Sequence, residues 1–218
     1  MAALKHNLVQ FWNTPDVPQE VRFLMDSWKT ETDFSYQRYD LKMADAFIAK
    51  EFDARTLAAF RTCAKPAMQA DFFRYCALYK TAGVYVDADT KTAGGMVELI
   101  ASAKRGLLMD RRGNIANDFL FFRHAGDSLL ERVIAIAIHN IENRISNNVW
   151  VVTGPGIMTG LFNDPATRPL FDEFQIESNR VVREVVIPVW EMNYKNTADD
   201  WRQSGVANAA SIFQETNE

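Results

Sequence analysis

Short apolar segments alternate with amphipathic segments along most of this 218-residue chain. Apolar runs or strict alternation predict strands at 8–12, 34–39, 106–111, 118–123 and 181–190, and a further strand that begins at Val84. Helical spacing of apolar residues predicts helices at 15–28, 41–52, 54–64, 66–83, 96–103 and 128–145. This alternation of strands and helices predicts an α/β fold with helices covering a central sheet.

Two carboxylates separated by one residue follow the strand that begins at Val84. Asp87 and Asp89 stand where the buried run ends, so both side chains can turn toward one hard cation. An Asp after a strand also commonly begins a turn or caps a helix, and the pair alone leaves both interpretations open. The sequence therefore predicts a divalent-metal site here only in combination with its surroundings.

The helix before this strand carries an acid and a base on one face. Asp71 and Arg74 are three residues apart, and their neighbours Phe72, Phe73 and Tyr75 are large and apolar. An exposed ion pair contributes little to stability, whereas an enclosed pair is costly unless its charges are paired or bind a ligand. The apolar surroundings favour an enclosed pair.

The order of residues from Pro66 to Thr90 resembles the sugar-nucleotide-binding region of the DXD-motif glycosyltransferases, and it is most similar to glycosyltransferase family thirty-two. The run contains Gln69-Ala70-Asp71-Phe72-Phe73-Arg74-Tyr75, Leu78-Tyr79 and Gly83-Val84-Tyr85-Val86-Asp87-Ala88-Asp89. The resemblance implies a GT-A-like single domain over residues 1–218, with a mixed, mostly parallel central sheet. It also implies a retaining transfer of sugar from a nucleoside diphosphate donor to an acceptor hydroxyl, with Mn²⁺ or Mg²⁺ as cofactor.

The resemblance also assigns expected roles to single residues. Asp87 and Asp89 would hold the metal, with Asp89 bridging it to the diphosphate and Asp87 acting through water or on the ribose. Asp71 and Arg74 would grip hydroxyls of the donor sugar, and Tyr85 would lie in the same donor site. Asp87, Asp89 and Arg74 are the expected catalytic residues, and their task is orientation and charge stabilisation rather than covalent attack.

Four further donor contacts are expected outside this core. Trp12, at the end of the first strand, would lie beside the nucleotide base, although a core position suits it as well. Asn117 precedes an apolar strand, as in the family, and 153–155 reads Thr-Gly-Pro before a helix. Lys195 and Trp201 are candidates for diphosphate contact, with an exposed loop as the alternative. The family's late histidine is absent from this stretch, so the remaining metal ligand stays open.

Composition narrows the function further. A net charge of −4, a pI near 5.5 and the lack of a basic cluster argue against a nucleic-acid partner. The two cysteines, Cys63 and Cys76, have apolar neighbours and are expected to be buried thiols. The three histidines lack ligand spacing, which argues against a histidine metal centre.

The chain has no apolar run of membrane-spanning length, and its start leads directly into the first predicted strand without room for a signal peptide. We therefore expect a cytoplasmic enzyme, with a peripheral position at a membrane left open. The expected acceptor is a glycan, a lipid-linked saccharide or a protein hydroxyl, in bacterial polysaccharide or glycoconjugate synthesis.

Two other functions stay open on the sequence. A phosphohydrolase of the haloacid-dehalogenase type also places Asp-x-Asp after a strand and would use Asp87 as nucleophile, but Lys91 stands where that family has Thr or Val. A sugar- or metal-binding module without turnover would keep the same pocket. Sugar release from a nucleotide, phosphate release from a monoester, or binding alone distinguishes the three.

Overall fold

A computed structural model describes residues 5–196 and 211–214. In this part of the chain the strands are β1 (His6–Phe11), β2 (Phe34–Tyr39), β3 (Gly83–Val86), β4 (Thr90–Thr92), β5 (Gly106–Arg111), β6 (Asn114–Phe122), β7 (Phe174–Ser178) and β8 (Val186–Pro188). The α-helices are α1 (Gln19–Ser27), α2 (Leu41–Glu51), α3 (Ala54–Thr62), α4 (Pro66–Thr81), α5 (Met96–Ile100), α6 (Ser128–Glu142), α7 (Val149–Val152), α8 (Pro155–Asn163) and α9 (Asn179–Val182). Short 3₁₀ turns span Trp28–Thr30, Arg168–Phe171 and Asn193–Asn196.

Six strands form one mixed sheet in the order β2-β1-β3-β6-β5-β7. β6 pairs antiparallel with β3 and with β5, whereas the other three pairings are parallel. β3 pairs with the carboxyl-terminal half of β6, from Val86 with Phe119 to Gly83 with Phe122, so the amino-terminal half of β6 continues past the carboxyl end of β3. The predicted α/β fold with a mixed, mostly parallel sheet is confirmed. In open sheets of this class, ligands bind at the carboxyl ends of the central strands.

Helix α4 packs against the sheet and against α6, and it is buried on nearly all sides. Its fully or nearly buried residues are Met68, Gln69, Asp71, Phe72, Phe73, Arg74, Tyr75, Cys76, Ala77 and Leu78. Pro66 occupies the first turn, where its missing N–H costs no hydrogen bond. A helix buried in this way holds its polar side chains in fixed positions, because the packed neighbours leave them no other rotamer.

The turn between α4 and β3 depends on glycine. Gly83 has φ +98°, and a Cβ at this position would lie 2.3 Å from the carbonyl oxygen of Asn7 in β1. The Asn7 side chain also donates a hydrogen bond to the Thr81 carbonyl at 2.8 Å. The close approach of β1 to this turn therefore fixes where β3 begins, and so where it ends.

The strand predicted at 181–190 is wrong in part. Residues Asn179–Val182 form helix α9, and only Val186–Pro188 form a strand, which pairs with β4 in a separate two-stranded sheet. Val182 and Val186 are both fully buried, so this apolar run enters the core as a helix, a turn and a short strand. Within 5–196 and 211–214, no helix combines the length and the apolarity needed to cross a bilayer.

Candidate active site

The acidic pair lies in a tight turn that follows β3. All four residues of β3 are buried, and the Asp87 carbonyl accepts hydrogen bonds from the Thr90 amide at 3.1 Å and from its hydroxyl at 2.6 Å. The Thr90 carbonyl in turn accepts from the indole of the buried Trp28 at 2.9 Å. The sequence from Asp87 to Thr90 is thus held as a defined turn that begins the second, smaller sheet.

The main chain of Asp87 is also fixed by the two strands that flank β3. Its amide donates to the carbonyl of Asp118 on β6 at 3.0 Å. Its carbonyl accepts from the side chain of Gln10 on β1 at 3.1 Å, and the Gln10 amide oxygen accepts from the Tyr36 hydroxyl at 3.1 Å. Gln10 is fully buried. Three neighbouring strands therefore determine the position of this carboxylate.

The Asp87 side chain forms an ion pair with Arg74 of α4. Arg74 Nη2 lies 3.1 Å from Asp87 Oδ1 and 3.1 Å from Asp71 Oδ1, so one guanidinium pairs with both acids. The Tyr85 hydroxyl donates to Asp87 Oδ1 at 3.1 Å, and the Arg74 guanidinium lies 4.4 Å from the centre of the Tyr85 ring. The enclosed pair expected from the sequence is present, since the Arg74 side chain is 4% exposed and the Asp71 side chain 9%.

Asn117 joins this network from β6, beside the bulge at which the β5–β6 register shifts. The side-chain nitrogen of Asn117 donates to Asp71 Oδ1 at 2.8 Å and to the Tyr75 hydroxyl at 2.8 Å. The main-chain carbonyl of Asn117 accepts from Arg74 Nη1 at 2.5 Å. The Thr153 hydroxyl reaches Asp71 Oδ2 at 3.4 Å. The residues that the sequence singled out on α4, β6 and the Thr-Gly-Pro segment therefore meet in one buried cluster.

Burial raises the pKa values of several groups in this cluster. Burial raises the pKa of Asp87 to about 7, with the carboxylates of Asp89, Asp118 and Asp71 adding to the shift and Arg74 opposing it. Burial likewise raises the pKa of Asp71. Burial also raises the pKa of the Tyr85 hydroxyl far above its ordinary value, so this hydroxyl stays protonated and donates to Asp87.

Asp89 has a different environment, formed by the segment that follows β8. Lys195 Nζ lies 2.6 Å from Asp89 Oδ2 and donates to the Val189 carbonyl at 2.8 Å. The Val189 amide donates to the Asp89 carbonyl at 2.9 Å. The exposed ring of Trp190 lies 5.2 Å from Lys195 Nζ. Lys195, the predicted diphosphate contact, thus pairs with Asp89, the predicted metal ligand. The sequence did not indicate this ion pair.

Trp12 lies next to the acidic turn. It follows β1 directly, and its half-buried ring packs against an apolar cluster that includes Ala88 and Met192. Ala88 is the residue between the two acids, so the indole lies at the edge of the candidate donor site. This position is compatible with contact to a nucleotide base and with a packing role, and base contact remains a prediction.

The acids offer hard oxygen ligands for a cation. Within the described residues there is no group of three or more His, Cys, Asp and Glu side chains that could hold a metal ion. Two carboxylates are nevertheless a suitable donor set for Mg²⁺ or Mn²⁺, since such ions commonly take the rest of their ligands from substrate phosphates and water. Asp87 and Asp89 therefore fit a metal that arrives with a diphosphate.

Several residues of the site were missed by sequence reasoning. Tyr75 lies in the quoted motif and Gln10 in the first predicted strand, both without an assigned role, and Asp118 and Arg183 gave no local signal. Asp118 binds the guanidinium of Arg183 and faces Arg111 at 3.6 Å, next to Asp87. Trp201 lies outside the described residues.

The chain is similar to known glycosyltransferases in sequence and in fold. Residues 10–105 match the family model described as "Glycosyltransferase sugar-binding region containing DXD motif", which confirms the resemblance to the DXD glycosyltransferases. Among solved structures, one named "PaToxG Glycosyltransferase" shares the fold, with a TM-score of 0.57 and 15% identity over 77% of this chain and 72% of that chain. No curated protein matches the chain.

Proposed function

We propose that this enzyme transfers a sugar from a nucleoside diphosphate donor to an acceptor hydroxyl in a metal-dependent, retaining reaction, because residues 10–105 match the family model of a DXD-containing glycosyltransferase sugar-binding region. The observation that carries the proposal is the meeting of Asp71, Arg74, Asp87 and Asn117 at the carboxyl end of β3, with Asp89 beside them. The family match and the fold favour this chemistry over the phosphohydrolase alternative.

Asp87 and Asp89 are the proposed metal ligands. When bound, Mn²⁺ or Mg²⁺ would supply positive charge that stabilises the departing diphosphate. Asp87 enters the site with one carboxylate oxygen held by Arg74 and Tyr85, so its orientation is set before any ligand arrives. Such preorganisation lowers the cost of arranging charges during the reaction.

The remaining residues bind and orient the donor. We assign Asp71 and Arg74 to the donor sugar, because Asn117 and Thr153 hold Asp71 in place from two other elements. Tyr85 and Asn117 complete this donor pocket. Trp12 lies beside the nucleotide base, and Lys195 contacts the diphosphate. Holding the anomeric carbon close to an acceptor hydroxyl accounts for a large part of catalysis in such sites. A retaining outcome then follows from attack on the face that the diphosphate leaves, with the leaving phosphate taking the acceptor's proton.

The acceptor class follows from the sequence resemblance: a glycan, a lipid-linked saccharide or a protein, within bacterial polysaccharide or glycoconjugate synthesis in the cytoplasm. A screen of nucleotide sugars with Mn²⁺, read as thermal stabilisation, identifies the donor, because a ligand that binds only the folded state raises its stability. Asp89→Asn should then abolish metal-dependent sugar release. An unchanged rate at saturating metal would remove Asp89 from the mechanism, and binding without any turnover would favour the non-catalytic module.

A further inference from the structure

Strand β6 carries a bulge where it passes the carboxyl end of β3. Leu108 of β5 pairs with Leu120, but the next residue of β5, Met109, pairs with Ala116. Within the β5–β6 pairing, residues 117–119 are therefore extra residues on β6. Bulges of this kind change the direction of side chains, and they are frequent next to active sites. The bulge of β6 thus sets the position of the residues that it contains.

Two residues of the bulge hold the candidate site through their main-chain carbonyls. The Asn117 carbonyl accepts a hydrogen bond from Arg74 Nη1 at 2.5 Å. The Asp118 carbonyl accepts a hydrogen bond from the Asp87 amide at 3.0 Å. The Asn117 side chain also donates to Asp71 Oδ1 at 2.8 Å. A displacement of this short segment would therefore move contacts of Arg74, Asp71 and Asp87 together.

The amino-terminal side of the bulge is held by helix α8 rather than by a strand. The pairing of β6 with β3 ends at Phe119, so β3 does not run beside Ile115. The Ile115 amide donates instead to Thr159 Oγ1 at 3.1 Å, in a buried hydrogen bond. Thr159 lies on α8 and is 6% exposed. Its hydroxyl thus takes the place of a strand carbonyl at a position that β3 does not reach.

We infer that Thr159 is a positioning residue of the donor site, and that it acts through the β6 bulge on Asn117 and Asp87. This inference rests on the proposed function, because it takes the carboxyl end of β3 as the donor site. Without the hydroxyl, the buried Ile115 amide loses its acceptor, which costs free energy unless the strand shifts or water enters. Either change loosens the segment that aligns Asn117 and Asp87, and small misplacements of such groups lower catalytic rates.

Thr159→Val tests this role, because valine keeps the shape of threonine and removes the acceptor oxygen. With Mn²⁺ and a nucleotide sugar that the natural protein cleaves, kcat should fall at least about tenfold at a temperature where both proteins are fully folded. Hydrogen exchange at the Ile115 amide should accelerate at least about tenfold. Thr56→Val is the matched control, because Thr56 is 5% exposed and its hydroxyl donates to Asp53 at the start of α3, which packs against α2, α4 and α6. The control should leave kcat and the exchange of Ile115 unchanged.

Two conservative variants separate the acceptor from the volume of the side chain. Thr159→Ser and Thr159→Cys both lack the methyl group, but only serine keeps a strong acceptor, since sulfur accepts weakly. Thr159→Ser should keep kcat within about twofold of the natural value, whereas Thr159→Cys should lower it at least about threefold. If Thr159→Val does not fold, this pair decides. A natural kcat in Thr159→Val or Thr159→Cys, or unchanged exchange at Ile115, overturns this inference alone, whereas a natural protein that binds no nucleotide sugar removes the proposed function with it.

Discussion

Replacing Lys195 with methionine tests whether its ammonium and a divalent cation compete for Asp89. The two groups lie 2.6 Å apart and are 9% and 23% exposed. At that distance the attraction is about 1.6 kcal/mol in the dielectric of water and about 6 kcal/mol at an effective dielectric of 20. Because desolvation of the pair offsets much of the larger figure, we take the lower one. Lys195→Met should therefore raise the affinity of the nucleotide-free protein for Mn²⁺ about tenfold.

The same variant should have the opposite effect on the nucleotide. If the ammonium leaves Asp89 for the diphosphate when metal arrives, its loss removes a charge-assisted contact to phosphate. At saturating Mn²⁺, Lys195→Met should then weaken nucleoside diphosphate binding about tenfold. Opposite changes in the two affinities are not produced by general damage to the fold, which lowers both.

Isothermal titration calorimetry measures both affinities directly. Lys91→Met is the matched control, because Lys91 is an exposed lysine on β4, two residues from Asp89. It removes the same charge from the same neighbourhood, and screening by water should keep its effect on Mn²⁺ affinity within about twofold. An Mn²⁺ affinity that is unchanged or lower in Lys195→Met refutes the competition between ammonium and metal.

Three further changes test the framework around the acids. In metal-free protein, the free energy of unfolding of Asp87→Asn relative to that of the natural protein should rise by about 1 to 3 kcal/mol from pH 4 to pH 7, because the raised pKa of Asp87 means that the unfolded chain ionises first. Urea unfolding at both pH values measures this change, and a difference that does not depend on pH contradicts it. Gly83→Ala should destabilise by about 3 kcal/mol or more, since its Cβ would meet Asn7 at positive φ; a melting temperature within a degree of the natural protein's would contradict the close approach. Gln10→Leu should cost about 1 to 3 kcal/mol and lower donor affinity, since the Tyr36 hydroxyl and the Asp87 carbonyl lose a buried partner; loss of stability with unchanged donor affinity would make Gln10 purely structural.

The parts of the site that sequence reasoning could predict are those set by short-range spacing. Asp71 and Arg74 lie one helical turn apart on α4, and Asp87 follows the buried β3 at once. Each of these positions depends on a single element and its end. The helix period and the end of an apolar run are visible in the sequence, so the acids and their arginine could be placed before the fold was known.

The parts that could not be predicted depend on contacts between distant segments. Gln10 reaches Asp87 from 77 residues away, across the β1–β3 pairing. Asp118 faces Asp87 only because β6 runs antiparallel to β3 in one particular register. Nothing near Gln10 or Asp118 in the sequence marks the register of a strand pairing, and a shift of one residue would turn these side chains to the other face.

The run at 181–190 shows why a correct hydrophobic pattern can still give the wrong element. Valines favour strands, but a short apolar run fits a buried helix equally well. Arg183 decides between them: its guanidinium binds Asp118, the Asn179 side chain and the Val186 carbonyl, which stabilises a turn between α9 and β8. The burial of Val182 and Val186 was predictable from the pattern, whereas the turn required a partner on β6.

The two acids of the motif have unequal roles because different parts of the chain hold them. Asp87 is fixed by β1, β6 and α4, and its partners Gln10 and Arg74 are almost fully buried. Asp89 is held by Val189 and Lys195, which belong to a segment beyond the main sheet. Substitutions around Asp87 should accordingly damage donor binding whether or not metal is present, whereas substitutions in 189–195 should act through the response to metal. A site divided in this way can keep its sugar pocket rigid while the ion and the diphosphate enter and leave on the other side.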